Sequence, residues 1–251
     1  MRQCLILLTI LLGLTASAGA DQSRQGRSYD SRHFTMQVEG PDDPALAWAL
    51  LERLESASCD VERRLGAFPG SRVPVTLYTD GIFPAQAFVP TWAQGLFDGH
   101  IRLAVVWAEL REDSVDRTLR HEYTHALVHA RTGGNVPTWL SEGLAVLSEN
   151  RATDESGEVM RNAWHLIPLS ELHGSFLTLS ARQVSLAYAE SEAAVRYLLA
   201  RHGDAAVRTL LRRLGEGRAF ESAIEDATGS AYAAFQSVWA RHVRAPHKTD
   251  G

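Results

Sequence analysis

Residues 33–38, His33-Phe34-Thr35-Met36-Gln37-Val38, alternate apolar and polar positions, the mark of a strand with one buried face. Over residues 44–65 the apolar positions recur instead at helical spacing, with Leu50, Leu54, Val61 and Leu65 on one stripe that takes in Cys59, so Cys59 is expected in the core. Residues 73–78 return to a strand pattern, and Pro74 predicts an edge at its N-terminal end because proline cannot donate to a ladder. Gly99 then turns the chain into a strand over 100–106. Leu119, Tyr123, Ala126, Leu127 and Ala130 make the stripe of a longer helix, capped at Asp113 or Ser114 and stopped by Gly133-Gly134. A second helix follows over 136–145, with Pro137 at its first position. A polar loop is expected over 152–158. Four helices close the chain over 183–202, 204–214, 219–228 and 231–243, with Gly203, Gly215 and Gly229 as stops. The fold class is α+β: a small mixed sheet with helices, a two-helix motif, and a C-terminal α-helical lobe.

The first motif helix carries His121-Glu122-Tyr123-Thr124-His125. Side chains at i and i+4 share a helix face, so His121 and His125 can both offer a ring nitrogen to one metal ion, at roughly 2.0–2.1 Å for zinc. Glu122, beside them, can reach a water activated by the metal without itself being a ligand. His129 continues the series, but eight residues along a straight helix is about 12 Å, too far to join the same ion. A third ligand must come from another element.

The second helix runs Val136-Pro137-Thr138-Trp139-Leu140-Ser141-Glu142-Gly143-Leu144-Ala145. After a tight turn it should run back against the first. At 1.5 Å per residue, His125 lies about 10 Å before the first helix ends and Glu142 about 8 Å into the second. Those levels match, which makes Glu142 the third ligand; the alternative is a first-turn acid favoured by the helix dipole. On the same rise Glu149 overshoots by roughly another 10 Å. Gly143 removes a side chain where the two motif helices approach.

His121-Glu122-x-x-His125 followed by Trp139-x-x-Glu142-Gly143-x-Ala145 resembles the gluzincin metallopeptidases, and more narrowly the bacterial peptidase MA-like family. Trp92-x-x-Gly95-x-x-Asp98-Gly99-x-Ile101-x-Leu103 is similar to that family's strand pair ahead of the active helix, and Leu186-Ala187-Tyr188-Ala189-Glu190-Ser191 to its helical tail. The resemblance implies a thermolysin-like core, one Zn²⁺ held by His121, His125 and Glu142, and hydrolysis of peptide bonds with Glu122 as general base. It also implies a tyrosine near the metal, for which Tyr188 is the candidate; Val184, Tyr188, Ser191, Val195 and Leu198 form one helix stripe, so a packing role is the alternative. In gluzincin-like clefts a peptide adds alongside an exposed strand, and residues 99–106 are expected to be that edge. The Gly-x-Met-Glu-Asn segment with which aminopeptidases of this group recognise a free N-terminus has no match over residues 83–106, where Asp98 is the only acid. An endopeptidase is therefore favoured. The reading from a different class is a non-catalytic, zinc-stabilised exported binding protein, against which Glu122 argues because such a site needs no general base.

The chain opens with Met1-Arg2, an apolar stretch over 4–14, and Ala16-Ser17-Ala18 or Ala18-Gly19-Ala20 as a cleavage signal. This predicts a signal peptide over residues 1–20, removed after Ala18 or Ala20, and a destination outside the cytoplasm: periplasmic or secreted. The apolar stretch is too short for a permanent membrane span. The catalytic domain is expected over 28–244, with an N-terminal α+β lobe at 28–110, the motif helices at 111–150 and the helical lobe at 151–244. Net charge is −5, and no run of Lys or Arg points to nucleic acid. The expected partner is a peptide or protein substrate; oligomeric state leaves no trace in the pattern.

Overall fold

The computed structural model describes residues 27–66, 69–79, 95–104, 112–151 and 155–244. The leader at 1–20, Trp92 and the strand residues 105–106 lie outside them. Two compact units divide the chain: residues 1–130 with 148–151, and residues 131–147 with 152–251.

In the first unit, β1 (Ser28–Asp30), β2 (Phe34–Glu39), β3 (Val73–Tyr78), β4 (Gly95–Phe97) and β5 (Ile101–Ala104) form one sheet in the order β1-β2-β3-β5-β4. The inner pairs are parallel and the outer pairs antiparallel, so the sheet is mixed. Alternation along β2 buries Phe34, Met36 and Val38 on one face. The parallel pairing of β2 with β3 requires a crossover, and α1 (Pro44–Leu65) supplies it. The Asp43 carboxylate accepts from Leu46 N at 3.1 Å to start α1, and Gly66 ends it in the left-handed region at φ 62°.

Two expectations change here. Cys59 is exposed, with Arg63 reaching its sulfur at 3.6 Å. The stripe of α1 runs instead through Leu54, Ser58, Val61 and Leu65, and position 59 is turned about 100° from Ser58. β3 as a whole is central, but its N-terminal end at Pro74 is open on the β5 side, as expected. Val73 N donates to His33 O at 2.8 Å, towards β2; the next residue faces β5, and pairing with β5 begins only at Val75. The proline thus occupies a place where no donor is required. The strand expected as the substrate edge is internal as well: β5 lies between β3 and β4, and among the described residues the outer strands are β1 and β4.

Helix α2 (Glu112–Thr132) completes this unit; it starts ahead of both expected caps, and Gly133 and Gly134 end it with φ 61° and 81°. Tyr123 is wholly buried, packs edge-on to Phe34 with centroids 5.5 Å apart, and donates its hydroxyl to Glu62 of α1. Burial and that acceptor push its phenol far above the usual range, so it stays protonated and keeps donating.

The second unit holds α3 (Thr138–Ser148, its last residue returning to the first unit), α4 (Glu155–Arg161), two 3₁₀ turns, α5 (Ala181–Gly215), α6 (Phe220–Thr228) and α7 (Tyr232–Arg244). Trp139, Phe220 and Tyr232 stack edge to face at 5.7 and 4.9 Å in its core. The expected break at Gly203 is present as a kink with φ 75° and ψ 174°. Ser180 and Gln183 form a reciprocal capping box that starts α5 ahead of the expected position. Helix α4 replaces part of the expected loop over 152–158. It buries no residue, so no apolar stripe betrays it; Glu155 and Glu158 in its first turn and Arg161 in its last suit the helix dipole, and Ser156 donates to Glu192 of α5. The nearest neighbours of Gly143 are Ser191 and Val195 of α5. A β-carbon there would stand 2.2 Å from the Ser191 carbonyl oxygen, so the close approach it permits is to α5.

Candidate active site

Helical spacing on α2 brings the two histidines together: His121 Nε2 and His125 Nε2 are 3.1 Å apart, and both residues are fully buried. The orientation of His121 has a cause. Its Nδ1 is 2.8 Å from Glu149 Oε1, and Glu149 Oε2 accepts from Arg151 Nε at 2.6 Å. Burial alone would raise the Glu149 carboxyl; the hydrogen bonds and charges of His121 and Arg151 outweigh it and hold the group below the usual range. An ionised Glu149 accepts a hydrogen bond from His121 Nδ1–H, which keeps the proton on Nδ1 and leaves the lone pair on Nε2, 3.1 Å from His125 Nε2.

Glu142, 1% exposed on α3, offers a carboxylate oxygen, and the ligand atoms of His121, His125 and Glu142 all lie within 4.8 Å of one another. These three residues could hold a metal ion. The donor set fits one: two nitrogens bound tetrahedrally to zinc at 2.0–2.1 Å stand about 3.3 Å apart, close to the observed spacing. Two imidazoles and a carboxylate are also the ligand types of catalytic rather than structural zinc.

Glu122 is fully buried. Gly95 of β4 lies against it, since a β-carbon on Gly95 would stand 2.8 Å from Glu122 Cγ and 2.9 Å from Oε1. Thr124 donates to Ser148 Oγ at 2.8 Å, and Ser148 donates to Arg120 O at 3.2 Å, which ties the end of α3 to α2. Tyr188 is buried on α5 and packs edge-on to Phe176, centroids 5.4 Å apart. Asp98 is engaged: its Oδ2 accepts from Arg102 Nε at 2.8 Å, and Arg102 also donates to Tyr78.

Sequence reasoning missed Glu149 and Arg151 as supports. Extending α3 as a straight rod carries Glu149 past the histidines, but α3 ends at Ser148, one residue before Glu149, and Asn150 takes a left-handed turn at φ 53°. Asn150, a residue that tolerates the left-handed region, was the signal for that turn.

The described residues include no helix long and apolar enough to cross a membrane. No curated protein matches the chain. A family model for the peptidase MA superfamily matches residues 60–245. Such a match, covering most of the 251 residues and both motif helices, shows that the chain belongs to the peptidase MA superfamily.

Proposed function

We propose that the protein is an exported zinc metallopeptidase that hydrolyses peptide bonds in peptide or protein substrates. In this reading His121, His125 and Glu142 hold the metal and Glu122 is the general base. The observation that carries it is the pair of Nε2 atoms 3.1 Å apart, with a Glu142 oxygen in the same 4.8 Å group. Bound there, zinc would polarise the scissile carbonyl and lower the pKa of a water towards ~7. Glu122 takes the proton from that water and passes it to the leaving amine. Tyr188 donates its hydroxyl to the carbonyl oxygen as charge gathers on it. Glu149 keeps His121 in the tautomer whose Nε2 is free to bind.

An endopeptidase is the favoured form, because Asp98, the one acid over residues 83–106, is occupied by Arg102 rather than offered to a substrate amine. Export rests on the leader at residues 1–20.

The decisive experiment pairs metal analysis with cleavage of a peptide library by wild type and Glu122→Gln. The substitution keeps size and shape, removes the base and leaves every ligand, so cleavage should fall by about 10²–10⁴-fold with about one zinc per chain retained. Equal cleavage by the two zinc-loaded proteins refutes the mechanism. A fully zinc-loaded wild type that cleaves nothing in the library favours the binding protein instead. Tyr188→Phe separates catalysis from packing, since loss of the hydroxyl alone lowers kcat only in the catalytic role.

A further inference from the structure

The position of the Glu122 carboxylate has a steric origin in β4. Thr118 sits one turn before Glu122 on α2 and is buried; its hydroxyl donates to Ser114 O at 3.0 Å. A β-carbon added at Gly95 would meet Thr118 Cγ2 at 2.6 Å, Glu122 Cγ at 2.8 Å and Glu122 Oε1 at 2.9 Å. Of these, Thr118 is braced by its own hydrogen bond, so its methyl group cannot simply rotate away. Glu122, met at both Cγ and Oε1, must then give way. Gly95 also has no positive φ, unlike its neighbour Gly99 at 101°, so backbone conformation does not demand a glycine there. Contact with α2 does.

We infer that Gly95 is a positioning residue for the reaction: with Thr118 it forms a slot, one side bare backbone and the other a braced methyl, that holds the Glu122 carboxylate in place. This rests on the peptidase reading, in which Glu122 is the base. A carboxylate displaced by about 1 Å loses on the order of 10²-fold in rate, because proton transfer depends on near-contact geometry.

The test compares wild type, Gly95→Ala and Gly95→Ala/Thr118→Ser, each zinc-loaded and full length. Serine keeps the hydroxyl that bonds Ser114 and deletes the methyl at 2.6 Å. For Gly95→Ala, kcat on a library peptide should fall roughly 10²-fold with KM and zinc content within about twofold of wild type. The double variant should recover thermal stability but not kcat, because the new β-carbon still crowds Glu122. If kcat returns along with stability, Gly95 serves packing alone and the inference is overturned. Crystal structures of the same variants give a readout independent of turnover. A Glu122 carboxylate unmoved in Gly95→Ala overturns the inference; a displaced one supports the slot even if the wild type cleaves no peptide, a result that would sink the peptidase reading by itself.

Discussion

Glu149, just past the end of α3, and Glu190, midway along α5, are both buried to 2% exposure or less, yet their environments drive them in opposite directions. Glu149 has a histidine on one oxygen and an arginine on the other, and stays ionised. Glu190 accepts one hydrogen bond, from Ile167 N at 2.8 Å; its Oε2 has no hydrogen-bond partner among the described residues. Burial raises its pKa to about 8, against the lowering pull of the Ile167 amide and the Arg244 charge. Burial acts the same way on both acids, so the number and charge of partners decides the ionisation state. Beside the histidines a fixed negative charge sets a tautomer. In the helical unit a neutral acid is tolerated.

The largest effect that could break this contrast is at Glu149. Glu149→Ala leaves Arg151 without its carboxylate and His121 without its anchor, and should cost about 3–5 kcal/mol of stability in urea denaturation of the metal-free protein. Zinc affinity in a chelator competition should fall about 10–100-fold. If neither quantity moves beyond error, Glu149 is not the anchor of His121.

The second effect is a pH dependence at Glu190. Its folded pKa is raised, so its contribution to stability is fully present below about 4.5 and is lost as pH rises towards about 8. Over that window the folded state keeps a proton that the unfolded chain releases. From pH 6 to pH 8 this group should cost roughly 2–3 kcal/mol, and Glu190→Gln should remove that part of the slope. A variant whose urea midpoint follows pH as the wild type does would show that Glu190 is ionised in the fold.

The smallest effect sharpens the second. Ser180→Ala deletes the cap of α5 and should cost about 1 kcal/mol. Ten residues from Glu190, about 15 Å along the helix, it should add to Glu190→Gln within ~0.5 kcal/mol if the acid's environment is local. A larger coupling would mean that the acid reports on the whole helix.

Helix α1 was legible from end to end because its stripe, Pro44 and Gly66 are all local signals, and His121 with His125 because one helical turn suffices to juxtapose them. Helix α4 was not legible, since it buries nothing and leans on Glu192, thirty-six residues from Ser156. The sheet order escaped for a related reason: pattern identifies β5 as a strand and only the family resemblance suggests a partner ahead of it, while which one lies outside depends on pairing with β3.

Sequence by itself determined the candidate ligand residue types, the i, i+4 geometry on α2 and the stop at Gly133-Gly134, the last two consequences of 3.6 residues per turn and of backbone freedom at glycine. Tertiary structure alone decided that Glu149 returns to His121, that Gly143 meets Ser191 and that Gly95 meets Glu122. Each of these joins residues from different elements, and such contacts follow from where helices end and strands pair, which no local periodicity encodes.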